Sequence, residues 1–75
     1  MSGNRAKRLS IHGERLRELR LKEQLTQEQA AVRAGLTALT FRKLEKGHQV
    51  DLHVGTLGRL AETFKIEPQT LLRWR

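Results

Sequence analysis

Apolar residues recur at three- and four-residue steps along most of the chain, which is the spacing of one helical face. The pattern predicts helices over residues 11–23, 27–34, 38–46, 53–64 and 68–73, with a loop over 48–52. Ser10 precedes the first helix as an expected cap, and Pro68 suits the first position of the last one. Strand signals are nearly absent, so the expected fold class is all-α, with five short helices.

Cap and stop signals divide the middle of the chain into two short helices. Thr26 followed by Gln29 forms a capping box, in which the hydroxyl accepts from a backbone amide and Gln29 reaches back. Gly35 and Gly47 follow predicted helices at places where a left-handed backbone is often needed. Thr37 supplies a second cap. These signals bound the helices more closely than the periodicity does.

The stretch from residue 27 to residue 46 has the pattern of a helix-turn-helix. A three-residue turn, Gly35-Leu36-Thr37, joins the two short helices. The first helix has small residues, and the second has larger apolar ones, so the two helices could pack closely at a steep angle. The small residues are Ala30, Ala31 and Ala34, and the larger ones are Phe41 and Leu44. In such a motif, the second helix can project into the major groove of DNA.

Composition narrows the class of protein. The 75 residues suffice for one domain, and 37% apolar residues suffice for one small core. Fifteen Lys and Arg against eight Asp and Glu give a net charge of +7, which favours a polyanion partner, nucleic acid before anionic lipid. Without cysteine there is no disulfide or thiolate site, and no apolar run could span a bilayer. We therefore expect a soluble, cytoplasmic domain.

The positive charge is concentrated at the amino end. Residues 1–22 hold seven basic and two acidic side chains. Residues 1–9 lack an apolar pattern and are predicted to be a flexible basic arm before a domain over residues 10–75. Two interpretations of the arm stay open, a solvated tail and a segment that contacts DNA.

Several segments, in this order and spacing, carry a resemblance to a known family. They are Gly13 to Arg20, Leu25 to Ala31, Ala34 to Thr37, Phe41 to Gly47, Thr56 to Ala61 and Ile66 to Leu72. Together they resemble the lambda-repressor-like helix-turn-helix domain of phage repressors, Cro and Xre-type regulators. The resemblance covers most of the chain and implies a five-helix bundle that binds duplex DNA.

The resemblance also implies roles for single residues. Gln27 corresponds to a phosphate contact at the amino end of the motif's first helix, and Arg20 with Glu45 to a structural ion pair. Positions that correspond to the base-reading face and its flanks are Thr37, Ala38, Leu39, Arg42 and Lys43. In the family, the loop after this helix lies near backbone phosphates, and it corresponds here to Lys46, His48 and Gln49.

Ala38 and Leu39 depart from the family pattern, which often has polar side chains here. They cannot form the bidentate hydrogen bonds that read adenine or guanine, although they could pack on thymine methyl groups. Exposed apolar side chains also suit a protein partner. An antitoxin-like or coactivator-like interaction module on the same fold is therefore the alternative to a DNA-binding regulator.

The expected function is sequence-specific binding of double-stranded DNA by a transcriptional regulator of repressor type, acting as a homodimer. Leu71, Leu72 and Trp74 form an apolar cluster that would either complete the core or make the dimer contact. The three histidines lack a chelating pattern, and neither a nucleophile with a base nor a carboxylate pair is recognisable. No metal, cofactor or enzymatic activity is expected.

Overall fold

Helices pack around one apolar core, and a short β ribbon joins the amino end to the middle of the chain. The computed structural model describes residues 7–9, 11–48, 50–52 and 54–72. In chain order the elements are β1 (Lys7–Leu9), α1 (Gly13–Lys22), α2 (Gln27–Ala34), α3 (Ala38–Glu45), β2 (Val50–Leu52), α4 (Val54–Phe64) and a 3₁₀ helix (Pro68–Leu71). None of the helices in these ranges is both long enough and apolar enough to cross a membrane.

The core is built from one face of each helix. Phe41 and Leu44 of α3 are fully buried, together with Leu16 of α1, Leu60 of α4 and Leu71 of the 3₁₀ helix. The inner face of α2 consists of alanines, which are also buried: Ala30, Ala31 and Ala34. Because these side chains are small, α3 packs closely against α2, as the sequence predicts.

The two helices of the motif begin where their caps predict. The Thr26 hydroxyl accepts from the Gln29 amide at 3.0 Å, and the Gln29 side chain accepts from the Thr26 amide at 2.9 Å. Thr37 caps α3 by accepting from the Thr40 amide at 3.1 Å. Gly35 has φ +73°, the left-handed conformation expected after α2. The third predicted helix ends one residue early, since Lys46 is its C-cap.

The first helix begins later than predicted. Its N-cap position is His12, whose side chain makes no capping hydrogen bond, and Gly13 is the first helical residue. Ile11 is extended and bridges Leu72, while the His12 amide donates to the Leu71 carbonyl at 2.7 Å. This pairing with the carboxyl end holds the segment out of the helix. Ser10 lies outside the described residues.

The β ribbon was not predicted. Lys7–Leu9 pairs antiparallel with Val50–Leu52, with Lys7 opposite Leu52 and Leu9 opposite Val50. Part of the predicted arm over residues 1–9 is therefore a strand, as is part of the predicted loop over 48–52. Each strand has only three residues, too few for a period-two signal, and the pairing joins segments about 40 residues apart in sequence.

The fifth predicted helix, over residues 68–73, is a 3₁₀ helix of four residues, so the described residues contain four α-helices rather than five. Pro68 is at its start as expected, and the Thr70 hydroxyl donates to the Glu67 carbonyl at 2.7 Å. Leu72 is extended, since it bridges Ile11, and this ends the turn. The predictions for residues 1–6, 49, 53 and 73–75 fall outside the described ranges.

Candidate nucleic-acid interface

The outer face of α3 carries three cations and one leucine. The residues at spacing i, i+3, i+4 and i+7, which share one helical face, are Leu39, Arg42, Lys43 and the C-cap Lys46. All four are exposed, and Leu39 retains 55% of its accessible surface. Phe41 and Leu44 anchor the opposite face in the core. This face of α3 contains no carboxylate, because Glu45 is turned toward α1.

Thr37 and Ala38 lie at the amino end of this face. The Thr37 hydroxyl accepts from the Thr40 amide and donates to the Thr40 hydroxyl at 3.0 Å, so both of its roles are used within the chain. Thr37 is exposed, and Ala38 is half-buried. Both lie at the predicted positions, but the capping bonds leave the Thr37 hydroxyl less free than its exposure suggests.

The predicted pair of Arg20 and Glu45 is present. The Arg20 Nε donates to Glu45 Oε2 at 2.6 Å, and Nη2 donates to Oε1 at 3.2 Å, so the contact is bidentate. The Arg20 Nη1 donates to the Leu25 carbonyl at 2.9 Å. The side chains are only 11% and 5% exposed, respectively. One ion pair thus joins α1, the α1–α2 turn and the end of α3.

Gln27 extends this network to α2. Its Nε2 donates to Glu45 Oε1 at 3.0 Å, and its Oε1 accepts from Arg42 Nε at 3.5 Å. Sequence reasoning expected Gln27 to contact phosphate and did not find these partners. Gln27 and Glu45 are 18 residues apart, and no local pattern indicates that they meet.

A groove of about 560 Å³ opens beside this network, at the amino end of α2. It is lined by Arg17, Arg20, Thr26, Gln27, Arg42, Glu45 and Lys46. The exposed cations on its rim are Arg17, Arg42 and Lys46, while Glu45 is paired with Arg20. The Gln29 amide is bonded to the Thr26 hydroxyl, while the amides of Gln27 and Glu28 have no intrahelical acceptor, so this end favours an anion.

Arg17 was not among the predicted site residues. The sequence shows it only as one of seven basic residues near the amino end. Arg17 lies three residues before Arg20, so the two side chains are neighbours on the surface of α1. Once Arg20 is paired with Glu45, this spacing indicates that Arg17 also lies near the end of α3. The tertiary contact decides which side of α1 faces the groove.

The remaining predicted residues belong to the loop after α3 and to the apolar cluster at the carboxyl end. His48 is exposed, and its amide donates to the Lys43 carbonyl at 3.0 Å, which keeps it next to the end of α3. Leu71 is fully buried within one chain, which agrees with the first of its two expected roles, completing the core, rather than with the dimer contact. Leu72 is half-buried against the same core. Gln49 and Trp74 lie outside the described residues.

In the described ranges, no three residues among His, Cys, Asp and Glu form a group that could hold a metal ion. The site consists instead of a cationic helix face, a helix amino end and a network that fixes their relative positions. Such an arrangement can hold anions and present side chains to a surface.

Comparison with known proteins agrees with this arrangement. A family model described as a helix-turn-helix domain matches residues 13–74. The chain is 34% identical over 64 residues to the HTH-type transcriptional regulator RghRB of Bacillus subtilis (strain 168); the match covers 85% of this chain and 46% of that protein. It therefore spans about half of that relative's length.

A solved structure is also similar. The restriction-modification controller protein C.AhdI from Aeromonas hydrophila is 37% identical and superposes with a TM-score of 0.66, over 76% of this chain and 85% of that one. The matched family model covers α1 to the 3₁₀ helix, which includes every residue of the α2–α3 motif. The chain therefore belongs to the helix-turn-helix family, with a domain of the lambda-repressor-like type.

Proposed function

We propose that this chain binds double-stranded DNA as a transcriptional regulator and places the outer face of α3 in the major groove. The observation that carries the proposal is that face, on which Arg42, Lys43 and Lys46 are exposed and no carboxylate intervenes. A net charge of +7 provides attraction to the phosphate backbone at longer range. The two relatives described above, a transcriptional regulator and a restriction-modification controller protein, support the same function.

In this proposal, the groove at the amino end of α2 receives a backbone phosphate. Arg17, Arg42 and Lys46 supply the positive charge, and the free amides at the start of α2 supply directional donors. One of the two Nε2 hydrogens of Gln27 is bonded to Glu45, so the side chain has one hydrogen left for a phosphate. We therefore assign the phosphate first to the backbone amides and assign the Gln27 side chain mainly a positioning role. His48 flanks the same backbone beyond Lys46.

Base recognition falls to the part of α3 that enters deepest. Lys43 is exposed and can donate to acceptors on a guanine edge. Arg42 is partly held by Gln27, and we assign it mainly to the backbone. One domain of this size covers few base pairs. We therefore propose that two copies bind a roughly palindromic site, with half-sites about one helical turn apart, and repress transcription from DNA in the cytoplasm.

A binding experiment at several salt concentrations tests the proposal. Fluorescence anisotropy with a random 30-base-pair duplex gives the slope of log K against log salt concentration. The double variant Arg42→Ala/Lys46→Ala should lower the magnitude of this slope by roughly 2, at about 0.9 per phosphate contact. The control Arg15→Ala/Lys22→Ala removes the same amount of charge, but from exposed positions on α1 outside the proposed interface. It should leave the slope nearly unchanged.

An equal decrease in both double variants would contradict the assigned face, and the absence of salt-dependent binding by the unmodified chain would contradict DNA binding itself.

The second candidate function is a protein-interaction module. The 55% exposure of Leu39 favours it, since an exposed leucine on a regular helix can anchor a partner. In that case, neither double variant would change the slope.

A further inference from the structure

Leu39 occupies an unusual position for an exposed leucine. It lies in the first turn of α3, at the centre of the amino-terminal part of the proposed DNA-binding face. Arg42 and Lys43 follow it by three and four residues, so both flank it on the helix surface. Its side chain has no polar atom and retains 55% of its accessible surface. A binding partner that complements this face has an apolar group opposite Leu39 and negative charge opposite Arg42 and Lys43.

The polar side chains around Leu39 are engaged elsewhere. Thr37 and Thr40 bond to each other through their hydroxyl groups, and Arg42 is directed toward Gln27. Lys43 is exposed beside Leu39, and Arg42 keeps its Nη donors. Leu39 therefore offers an apolar contact at the amino end of the helix that these hydrogen-bond donors cannot make.

The major groove offers one apolar group on a base edge, the methyl group at C5 of thymine. The same group is present on 5-methylcytosine and absent from cytosine and uracil. We infer that Leu39 selects a 5-methylpyrimidine at one position of each half-site, so that binding depends on thymine there and increases when a cytosine at that position is methylated. This inference rests on the proposed DNA-binding function.

The surroundings of Leu39 favour DNA over a protein as the occupant. An anchor at a stable protein interface is surrounded by contacts that exclude water, whereas Leu39 is flanked by cations within one helical turn. The other apolar residues of this turn are Ala38, which is half-buried, and Phe41, which is fully buried. One leucine among cations is smaller than the apolar centre of a stable protein interface, but it is the size of a single methyl contact in a groove lined by phosphates.

The expected effect is modest and measurable. Removing one methyl group from water corresponds to roughly a fourfold change in affinity. A thymine-to-uracil replacement at the contacted position changes only this methyl group and leaves the hydrogen-bonding edge unchanged. A fourfold loss in that replacement therefore isolates the apolar contact from any role of Lys43.

The experiment starts with selection from a random duplex pool and continues with single-site replacements. The selected duplex is prepared with thymine or uracil at each enriched thymine, and with cytosine or 5-methylcytosine at the same position. Each duplex is measured with the unmodified chain, with Leu39→Ala and with the control Leu21→Ala. Leu21 is the same residue type on α1 with 52% exposure, so the control matches both the substitution and the burial.

At one position, uracil should weaken binding roughly fourfold and methylation of cytosine should strengthen it by a similar factor, for the unmodified chain and for Leu21→Ala. Leu39→Ala should bind thymine and uracil equally while its circular dichroism melting curve stays unchanged. Indifference of the unmodified chain to every thymine-to-uracil replacement would overturn the inference, as would an unchanged preference in Leu39→Ala. Lack of salt-dependent binding to the random pool would instead overturn the proposed DNA-binding function.

Discussion

Gly13, the first residue of α1, lies directly against the backbone carbonyl of Glu45, the last residue of α3. Gly13 is buried, and a Cβ atom at this position would overlap the carbonyl oxygens of both Leu44 and Glu45. Because Arg20 pairs with the Glu45 side chain about two turns further along α1, the end of α3 is held by α1 at two points. The orientation of the proposed recognition helix α3 therefore depends on α1.

Gly13→Ala should destabilise the domain by about 1–3 kcal/mol, because the added methyl group has to displace backbone atoms. Chemical denaturation with urea measures the change in the free energy of unfolding. Gly58→Ala is the matched control, since Gly58 lies inside α4 and a Cβ there meets nothing within 4 Å. The control should gain about 0.5–1 kcal/mol, as alanine is the better helix former. A similar loss in both variants would contradict the steric explanation.

Glu45→Ala should lower the free energy of unfolding by about 1–3 kcal/mol, because Arg20 and Gln27 both lose an acceptor. The affinity of the remaining folded protein for DNA should change less, since Glu45 does not lie on the outer face of α3. Thermal melting and anisotropy on the same sample compare the two effects. A larger loss of affinity than of stability would reassign Glu45 to the interface.

Lys43→Ala should cost about 1–3 kcal/mol in binding free energy on a selected duplex and relax the preference at one base position. The reason is that Lys43 is exposed on the outer face of α3 and has no partner in the groove network. Affinities for the selected duplex and for single-base variants test this. If binding weakens equally on all sequences, Lys43 contacts a phosphate instead.

Deletion of residues 1–6 should decrease the magnitude of the salt slope by about 1 if Arg5 contacts a phosphate. The deletion stops before β1, because removing Lys7–Leu9 would also remove the pairing with Val50–Leu52. A second deletion, of residues 1–9, should therefore lower the melting temperature, whereas the shorter one should not. An unchanged salt slope after the shorter deletion would identify that segment as a solvated tail.

Local signals predicted much of the central motif. The capping box at Thr26 and Gln29, the cap at Thr37 and the left-handed Gly35 all act within four residues, so their effects can be read from adjacent positions. The same local reasoning failed at the ends of the chain. There, the conformation of Ile11 and Leu72 is set by their mutual bridge, which no nearby residue indicates.

The amino-acid sequence alone determined the helical nature of the chain, the limits of α2, the start of α3 and the excess of positive charge, because caps, turns and periodicity are properties of neighbouring residues. Only the tertiary structure decided that Gln27 bonds Glu45, that Arg17 faces the groove and that Leu71 is sealed in the core. These three features depend on how helices that are distant in sequence pack against each other. Packing is set by the fit of many side chains at once, and no short stretch of sequence contains that information.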